Sequence, residues 1–168
     1  MRLAVISDTH LEAPTGWFKN FFEEHLLPAD VLIHCGDMTG IAVHDFLAYN
    51  HPEFYGVAGN CCDWRIGQDL PVMLHLTLAG KRVGITHGWG DRRTLPTRLP
   101  EAFGPGCDLI LFGHTHRQIA LRFGETLVVN PGSLSGDRPC MAFIDLTGDI
   151  AVDFRRFSTD FGSGNSLP

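Results

Sequence analysis

The sequence predicts an α/β protein of two packed mixed β-sheets with helices on the outside. Three observations carry that expectation. The first half alternates short apolar runs with helical patterns, the reading of parallel strands joined by crossover helices. The second half is richer in neighbouring strands joined by tight turns, which gives it an antiparallel character. Several of the apolar runs also stop at short clusters of Asp, Asn and His, so different strand ends share one chemistry.

Residues 3–7 form an apolar, partly β-branched run, the pattern of a buried parallel strand, with Asp8 just past its end. From Gly16 onward, Trp17, Phe18, Phe21, Phe22, His25 and Leu26 recur at helical spacing and stop before Pro28. That is an amphipathic helix packed on a sheet rather than a ligand platform. Residues 31–34 supply the next strand, and a helix over about 43–49 leads to a strand over 54–57 that runs into Gly59 and Asn60. Residues 73–78 and 81–86 read as a hairpin turned at Ala79 and Gly80, with His87 at its end. Pro96 and Pro100 break the stretch 89–103 too often for a long helix, which predicts a loop or short helix over the site.

The run 108–112 then delivers Gly113, His114, Thr115 and His116. Residues 118–123 and 126–129 pair across Gly124 and Glu125 and lead into Asn130-Pro131-Gly132-Ser133, read as a tight structural turn. Residues 141–146 and 150–157 pair around Thr147, Gly148 and Asp149. One domain over 1–157 is expected, followed by a fraying tail over 158–168.

Hydrophobic residues make up 44% of the 168 and include 12 Phe, enough to build a large core without disulfides. A net charge of −6 with no basic block argues against long nucleic acids held by phosphate neutralisation. A small phosphorylated substrate fits better, because two bound divalent cations would move the total from −6 to −2 and concentrate positive potential in one cleft. The five cysteines are an odd number without a Cys-x-x-Cys pair, and no cleavable signal is read before the first strand. No apolar run approaches the ~20 residues of a membrane span, so a cytoplasmic protein free of the membrane is expected.

The residues that carry chemistry are Asp8 and His10, Asp37, Asn60, His87, and His114 with His116. Mixed oxygen and nitrogen donors suit borderline first-row divalent metals better than calcium, which takes oxygen alone. Asp37 is the best candidate to bridge two ions, since a carboxylate has two oxygens and Gly36 before it permits close backbone approach. His114 and His116, two apart, share one side of an extended segment and can address neighbouring ions. Two ions roughly 3.5–4 Å apart can share a hydroxide nucleophile and neutralise phosphoryl oxygens during in-line displacement, with no covalent intermediate. Singly, Asp8 could cap a helix and Asn60 could form a turn; the signal is their combination in one chain.

In the order Asp-x-His, Gly-Asp, Gly-Asn, an isolated His and Gly-His-x-His, over roughly residues 1–146, the chain resembles the calcineurin-like metallophosphoesterases. It is most similar to their small single-domain phosphodiesterases of bacteria and archaea. The resemblance implies a four-layer αββα sandwich of two mixed β-sheets flanked by helices. It implies Asp8, His10 and His116 on one ion, Asn60, His87 and His114 on the other, and Asp37 between them. The implied cofactor is two divalent transition-metal ions, manganese first, with nickel, iron or zinc as alternatives. The implied catalytic group is Asp37, Asn60, Cys61 and His87, acting on a phosphodiester, with a phosphomonoester as the close alternative.

Many family members carry a His after the motif asparagine, where it protonates the leaving group; here Cys61 stands there. Its thiol is a weak general acid, a support to the ligands or a packing group, and water is a further proton source. The small branch often reads Gly-Asn-Cys-Asp, whereas here Cys62 intervenes and Asp63 falls one place later. The same fold serves as an interaction subunit in the retromer sorting complex, where the site has degenerated, and the complete ligand set here favours hydrolysis. Assembly into a homo-oligomer, common in the small branch, is also expected. His25, His34, His44, His51 and His75 read as packing or surface groups. Arg92, Arg93 and Arg98 read as a solvated loop before a phosphate grip, and Trp64 and Trp89 either line the cleft or are buried.

Overall fold

A computed structural model describes residues 1–158. The strands of the first half are β1 (Arg2–Ile6), β2 (Val31–His34), β3 (Phe54–Gly56), β4 (Met73–Leu78) and β5 (Lys81–Thr86). Those of the second half are β6 (Leu109–Phe112), β7 (Gln118–Phe123), β8 (Thr126–Pro131), β9 (Cys140–Asp145) and β10 (Ala151–Arg156). They form two five-stranded sheets, ordered β10-β9-β1-β2-β3 and β4-β5-β6-β8-β7. Each is mixed: β1, β2 and β3 run parallel, as do β5, β6 and β8, while the strands added at the edges are antiparallel. The predicted two-sheet class therefore holds.

Alternation along the central strands explains the layering. Leu3, Val5 and Ile33 of one sheet meet Ile85, Leu111 and Val129 of the other in a continuous apolar layer. The next residues along, Ala4, Ile6 and Leu32, face away and lie under Phe18, Phe22 and Leu26 of the first helical segment and Val43 and Leu47 of the second. Ile110, Phe112 and Val128 on the far side of the second sheet pack under Leu95, Leu99 and Phe103. Both faces of each sheet are thus covered, which is why the parallel strands read as unbroken apolar runs rather than alternating ones. Burial of Phe18 and Phe112, both 0% exposed, contributes roughly 1.5–3 kcal/mol each.

The helices follow the predicted pattern with local differences. Helix α1 (Gly16–Phe21) is capped by Thr15, whose hydroxyl accepts the Phe18 N–H at 3.1 Å, and continues as a π turn over Phe22–Leu26. The aromatic stripe packs as expected, Trp17 stacking on Phe21 with ring centroids 5.0 Å apart. Helix α2 (Ile41–Asn50) starts two residues before its expected position. Helix α3 (Trp64–Asp69) was not predicted; Asp63 caps it by accepting the Arg65 N–H at 2.9 Å.

Helix α4 (Leu95–Phe103) is the short helix expected within 89–103, with Pro96 in the first turn, where no intrahelical N–H is needed, and Pro100 inside. Its placement corrects the expectation: it covers the outer face of the second sheet, because Leu95, Leu99 and Phe103 find their apolar surface there. The loop before it is what reaches the site. No helix among the described residues is long and apolar enough to cross a membrane. The expected tail beyond Ser158 lies outside the described residues.

Candidate metal centre

Strands β1, β2, β3, β5 and β6 each hand over to a loop that carries one of the expected ligands, and those loops converge. The rule that open α/β sheets bind ligands beyond the carboxyl ends of their strands accounts for the location. The loops are bound to one another through their backbones. The Asp8 N–H donates to Gly36 O at 2.9 Å, the His10 N–H to Asp37 O at 3.3 Å, and the Gly113 N–H to His87 O at 3.1 Å.

Asp8, His10, Asp37, His114 and His116 all adopt left-handed backbone, with φ of 54°, 48°, 61°, 66° and 58°; among the described residues Ala79 is the one other non-glycine to do so. Such conformations cost of order 1–3 kcal/mol each and persist where surrounding structure imposes them. Here they turn the chain sharply enough to bring successive loops together. Gly59 and Gly113 serve the same crowding: a Cβ on Gly59 would overlap Asp37 Oδ1, and one on Gly113 would overlap Ser7 Oγ and stand 2.9 Å from His87 Nδ1.

Each carboxylate gives one oxygen to the protein and turns the other toward imidazoles. Asp8 Oδ2 accepts the Ser7 hydroxyl at 2.6 Å and the His114 N–H at 3.2 Å. Asp8 Oδ1 lies 3.0 Å from His116 Nε2, 3.8 Å from His10 Nε2 and 4.0 Å from His87 Nε2. Asp37 Oδ1 accepts the Cys61 N–H at 2.7 Å, and Oδ2 lies 3.3 Å from His87 Nε2 and 3.9 Å from His10 Nε2. Asn60 Oδ1 is 3.1 Å from His87 Nε2. The His114 ring packs edge-on to His87 with centroids 5.2 Å apart, and its Nε2 stands 3.4 Å from Gly90 O.

Two sets of donor atoms lie close enough to share an ion: Asp8, His10 and His116, and Asp8, Asp37 and His87. The expected first set is brought together whole. In the second, Asp8 joins Asp37 and His87, so Asp8 is the carboxylate common to both sets where the resemblance implies Asp37. Asn60 and His114 flank that second set through His87. The donors fit divalent metal on two grounds beyond their identity. Asp8 Oδ1 and His114 Nδ1 are buried atoms without a hydrogen-bond partner, an arrangement that costs stability unless something else satisfies them. His87 Nδ1 lies 2.8 Å from Cys35 O, the outer hydrogen bond that fixes the ring and leaves Nε2 free to ligate.

Electrostatics follow the same geometry. Burial by itself raises the Asp37 carboxyl, but the hydrogen bonds from His87 and the Cys61 N–H hold it at about 2. Burial works against a charge on His87, yet Asp37 and Asp8 beside it raise its pKa above the ordinary value. His114 moves the other way, lowered by burial and by His87. A bound cation competes for His87 with that proton, so metal affinity must rise with pH.

The structure also places groups that sequence reasoning left out. His34 is fully buried, with Nε2 3.2 Å from Thr9 Oγ1 and Nδ1 accepting the Gly36 N–H at 3.1 Å, so it ties the Asp8 loop to the Asp37 loop. The sequence expectation of a packing or surface group extends here to a buried link between loops, for which the signal is a lone polar residue closing an apolar strand just before Gly36 and Asp37. The end of β8 and the turn after it are wired in as well: Asn130 Nδ2 donates to Gly113 O at 2.6 Å and Ser133 Oγ to Asp8 O at 3.0 Å. Asp63 is occupied by Arg65, whose guanidinium is 2.9 Å away and holds the carboxyl at about 2, which removes it as a source of protons. Cys61 is exposed, its Sγ accepting from Asn60 Nδ2 at 3.1 Å, and burial and the nearby Asp37 raise its thiol.

Arg93 pairs with Asp91 at 3.0 Å, while Arg92, Arg93 and Arg117 border a cleft with Thr115. Trp64 is 69% exposed on α3, whereas Trp89 borders a cavity that reaches Asn60 and His87.

A two-sheet α/β sandwich that gathers carboxylate and imidazole donors at its strand ends defines a metal-binding domain of the hydrolase type. The model of the calcineurin-like phosphoesterase superfamily domain matches residues 1–149, and the chain belongs to that superfamily. It is 32% identical over 139 residues to the probable metallophosphoesterase YsnB of Bacillus subtilis, covering 80% of this chain and 75% of the relative. It is 27% identical over 143 residues to the vacuolar protein sorting-associated protein 29 of Schizosaccharomyces pombe, covering 81% and 73%. Among solved structures, an archaeal phosphodiesterase superposes with a TM-score of 0.69 at 20% identity, covering 94% of this chain and 99% of that one, a likeness of fold.

Proposed function

We propose that the chain is a phosphodiesterase with a binuclear metal centre, acting on a small phosphorylated substrate in the cytoplasm. One observation carries the reading: Asp8 Oδ1, buried and without a hydrogen bond, faces His10, His87 and His116 while Asp37 stands beside it. Membership of a phosphoesterase superfamily and a phosphodiesterase among the fold neighbours support the choice of reaction. The five free cysteines suit a reducing compartment.

Asp8, His10 and His116 would hold one ion and His87, Asn60 and His114 the other, with Asp37 between them. A divalent metal held by these residues would supply Lewis acidity toward water and positive charge against the phosphoryl oxygens. The chain's own groups do the rest. Asp37 stays ionised at every working pH, so the charge that organises both halves is constant. Cys35 O and Asn60 keep the His87 ring from turning. Cys61, exposed beside Asn60 and held in its thiol form, can give a proton to the departing oxygen, a role it shares with water.

The reading is tested by chelator-stripped protein assayed on an aryl phosphodiester and the matching monoester, before and after manganese, nickel or zinc is restored. Metal-dependent cleavage that favours the diester supports it. Preference for the monoester selects the phosphomonoesterase alternative, and no turnover with ions demonstrably bound returns the weight to a scaffold.

A further inference from the structure

Beside the His87 and Asn60 half of the centre lies a cavity of about 440 Å³, within the ~300–1,000 Å³ range of small-molecule sites. Its wall is largely apolar: Val72, just before β4, and Met73, its first residue, line it together with Trp89 from the loop after β5. Val72 is 70% exposed and Trp89 44%, so two of the chain's large exposed apolar side chains border one opening next to the site. Isolated exposed apolar groups need no explanation, but a contiguous apolar wall that ends on expected metal ligands does. The polar group at its back is already used: the Thr86 hydroxyl donates to Val72 O at 2.9 Å and accepts the Gly88 N–H at 3.2 Å. Apart from Asn60, His87 and the Trp89 indole N–H, the named side chains reward burial and offer no free hydrogen bonds.

Trp89 is held rather than loose. Arg98 of α4 donates to Trp89 O at 2.7 Å, and its guanidinium carbon lies 5.8 Å from the ring centroid, within cation-π reach. A braced ring presents a flat face at little ordering cost, which is what a planar guest needs.

Resting on the phosphodiesterase reading, we propose that this cavity takes a planar apolar ester arm of the substrate, an aryl or heteroaryl group, and that Trp89 and Val72 set the preference for it. Alkyl arms of one or two carbons leave the wall wet, and a bare phosphate does not reach it. The substrate class is therefore an aryl or heteroaryl phosphodiester.

The test is equilibrium binding to the manganese-loaded full chain, by calorimetry, of methyl benzylphosphonate and methyl methylphosphonate. Both are monoanions, and the arm under test is joined by a P–C bond that hydrolysis does not cleave. The benzyl compound is expected to bind about tenfold more tightly, the upper range of an aromatic contact. Trp89→Ala and Val72→Asp, both at exposed positions that leave the core untouched, should each bring the ratio to within about twofold. Equal affinities in the unaltered protein, no binding of the benzyl compound, or a ratio that survives both substitutions overturns the proposal. Turnover of an aryl diester is followed in parallel to separate the two readings. Turnover without aryl preference removes the pocket alone, whereas aryl preference without turnover of any diester keeps the pocket and removes the phosphodiesterase.

Discussion

Gly59→Ala and Gly67→Ala are the same chemical change with opposite expected signs. Gly59 lies against the centre, and its Cβ would overlap Asp37 Oδ1 and the Asp37 backbone nitrogen, with Asp37 Cγ 3.0 Å away. To admit the methyl group, the Asp37 backbone must shift and its carboxylate turn away from the Cys61 N–H, a bond now 2.7 Å long. A hydrogen bond to a charged group contributes roughly 1.5–3 kcal/mol, and overpacking adds roughly 1–3 kcal/mol. The combined loss is about 2.5–6 kcal/mol, shared between folding and metal affinity because the same carboxylate serves both. Gly67, inside α3, has nothing within 4 Å of the added Cβ, so alanine there should stabilise by roughly 0.5–1 kcal/mol through helix propensity.

Urea unfolding of both variants in chelator, followed by manganese titration calorimetry, reads the two effects separately. Gly59→Ala with unchanged midpoint and unchanged metal affinity would refute the claim that close packing at Gly59 holds Asp37 in place. Loss of stability in Gly67→Ala would show instead that any methyl in this region is harmful.

Asp37→Asn keeps the volume and removes the charge between the two halves; kcat/KM should fall by at least about 10³-fold, with metal stoichiometry reduced and the urea midpoint in chelator nearly kept. Near-normal turnover would sink the assignment of Asp37. His34 is fully buried, and desolvation first and His87 second lower its pKa from 6.5 to about 3. The unfolded chain therefore binds the extra proton between those values, so stability is complete above pH 6.5 and is lost as pH falls toward 3. From pH 8 to pH 5 the loss is about 2 kcal/mol, measured as the difference in urea stability between the metal-free protein and His34→Gln; identical pH profiles would contradict it. Cys61→Ser should slow diesters with poor leaving groups by about 10²-fold while sparing those with good ones, the signature of a proton donor. Equal slowing of both would assign the thiol to support of Asn60.

Central strands and the Asp, Asn and His residues gathered at their ends were legible because their signals are local. The runs at 3–7, 31–34 and 108–112 are apolar in their interiors, with Ser7, His34 and Asp108 polar only at their ends, because both faces of each sheet are covered, and they match β1, β2 and β6 closely. Helix α3 was missed because six residues with a glycine among them carry no apolar period; its start depends on the Asp63 cap and the Arg65 pair, which form once the loop has turned. Pro96 and Pro100 argued correctly against a long helix, but the side of the fold that α4 covers followed from its partners in the second sheet.

The site divides in the same way. By itself the sequence determined which donors exist and that they fall at strand ends, since residue identity sets ligand chemistry and apolar runs set where strands stop. Tertiary structure alone decided that Asp8 stands between both halves and that His34 joins two loops. It alone decided that Asp63 is spent on Arg65 while Trp89 faces an apolar cavity. The reason is physical: ligand geometry comes from left-handed turns at Asp8, His10, Asp37, His114 and His116, conformations these residues disfavour on their own and that only the packed sheets and cross-linked loops impose.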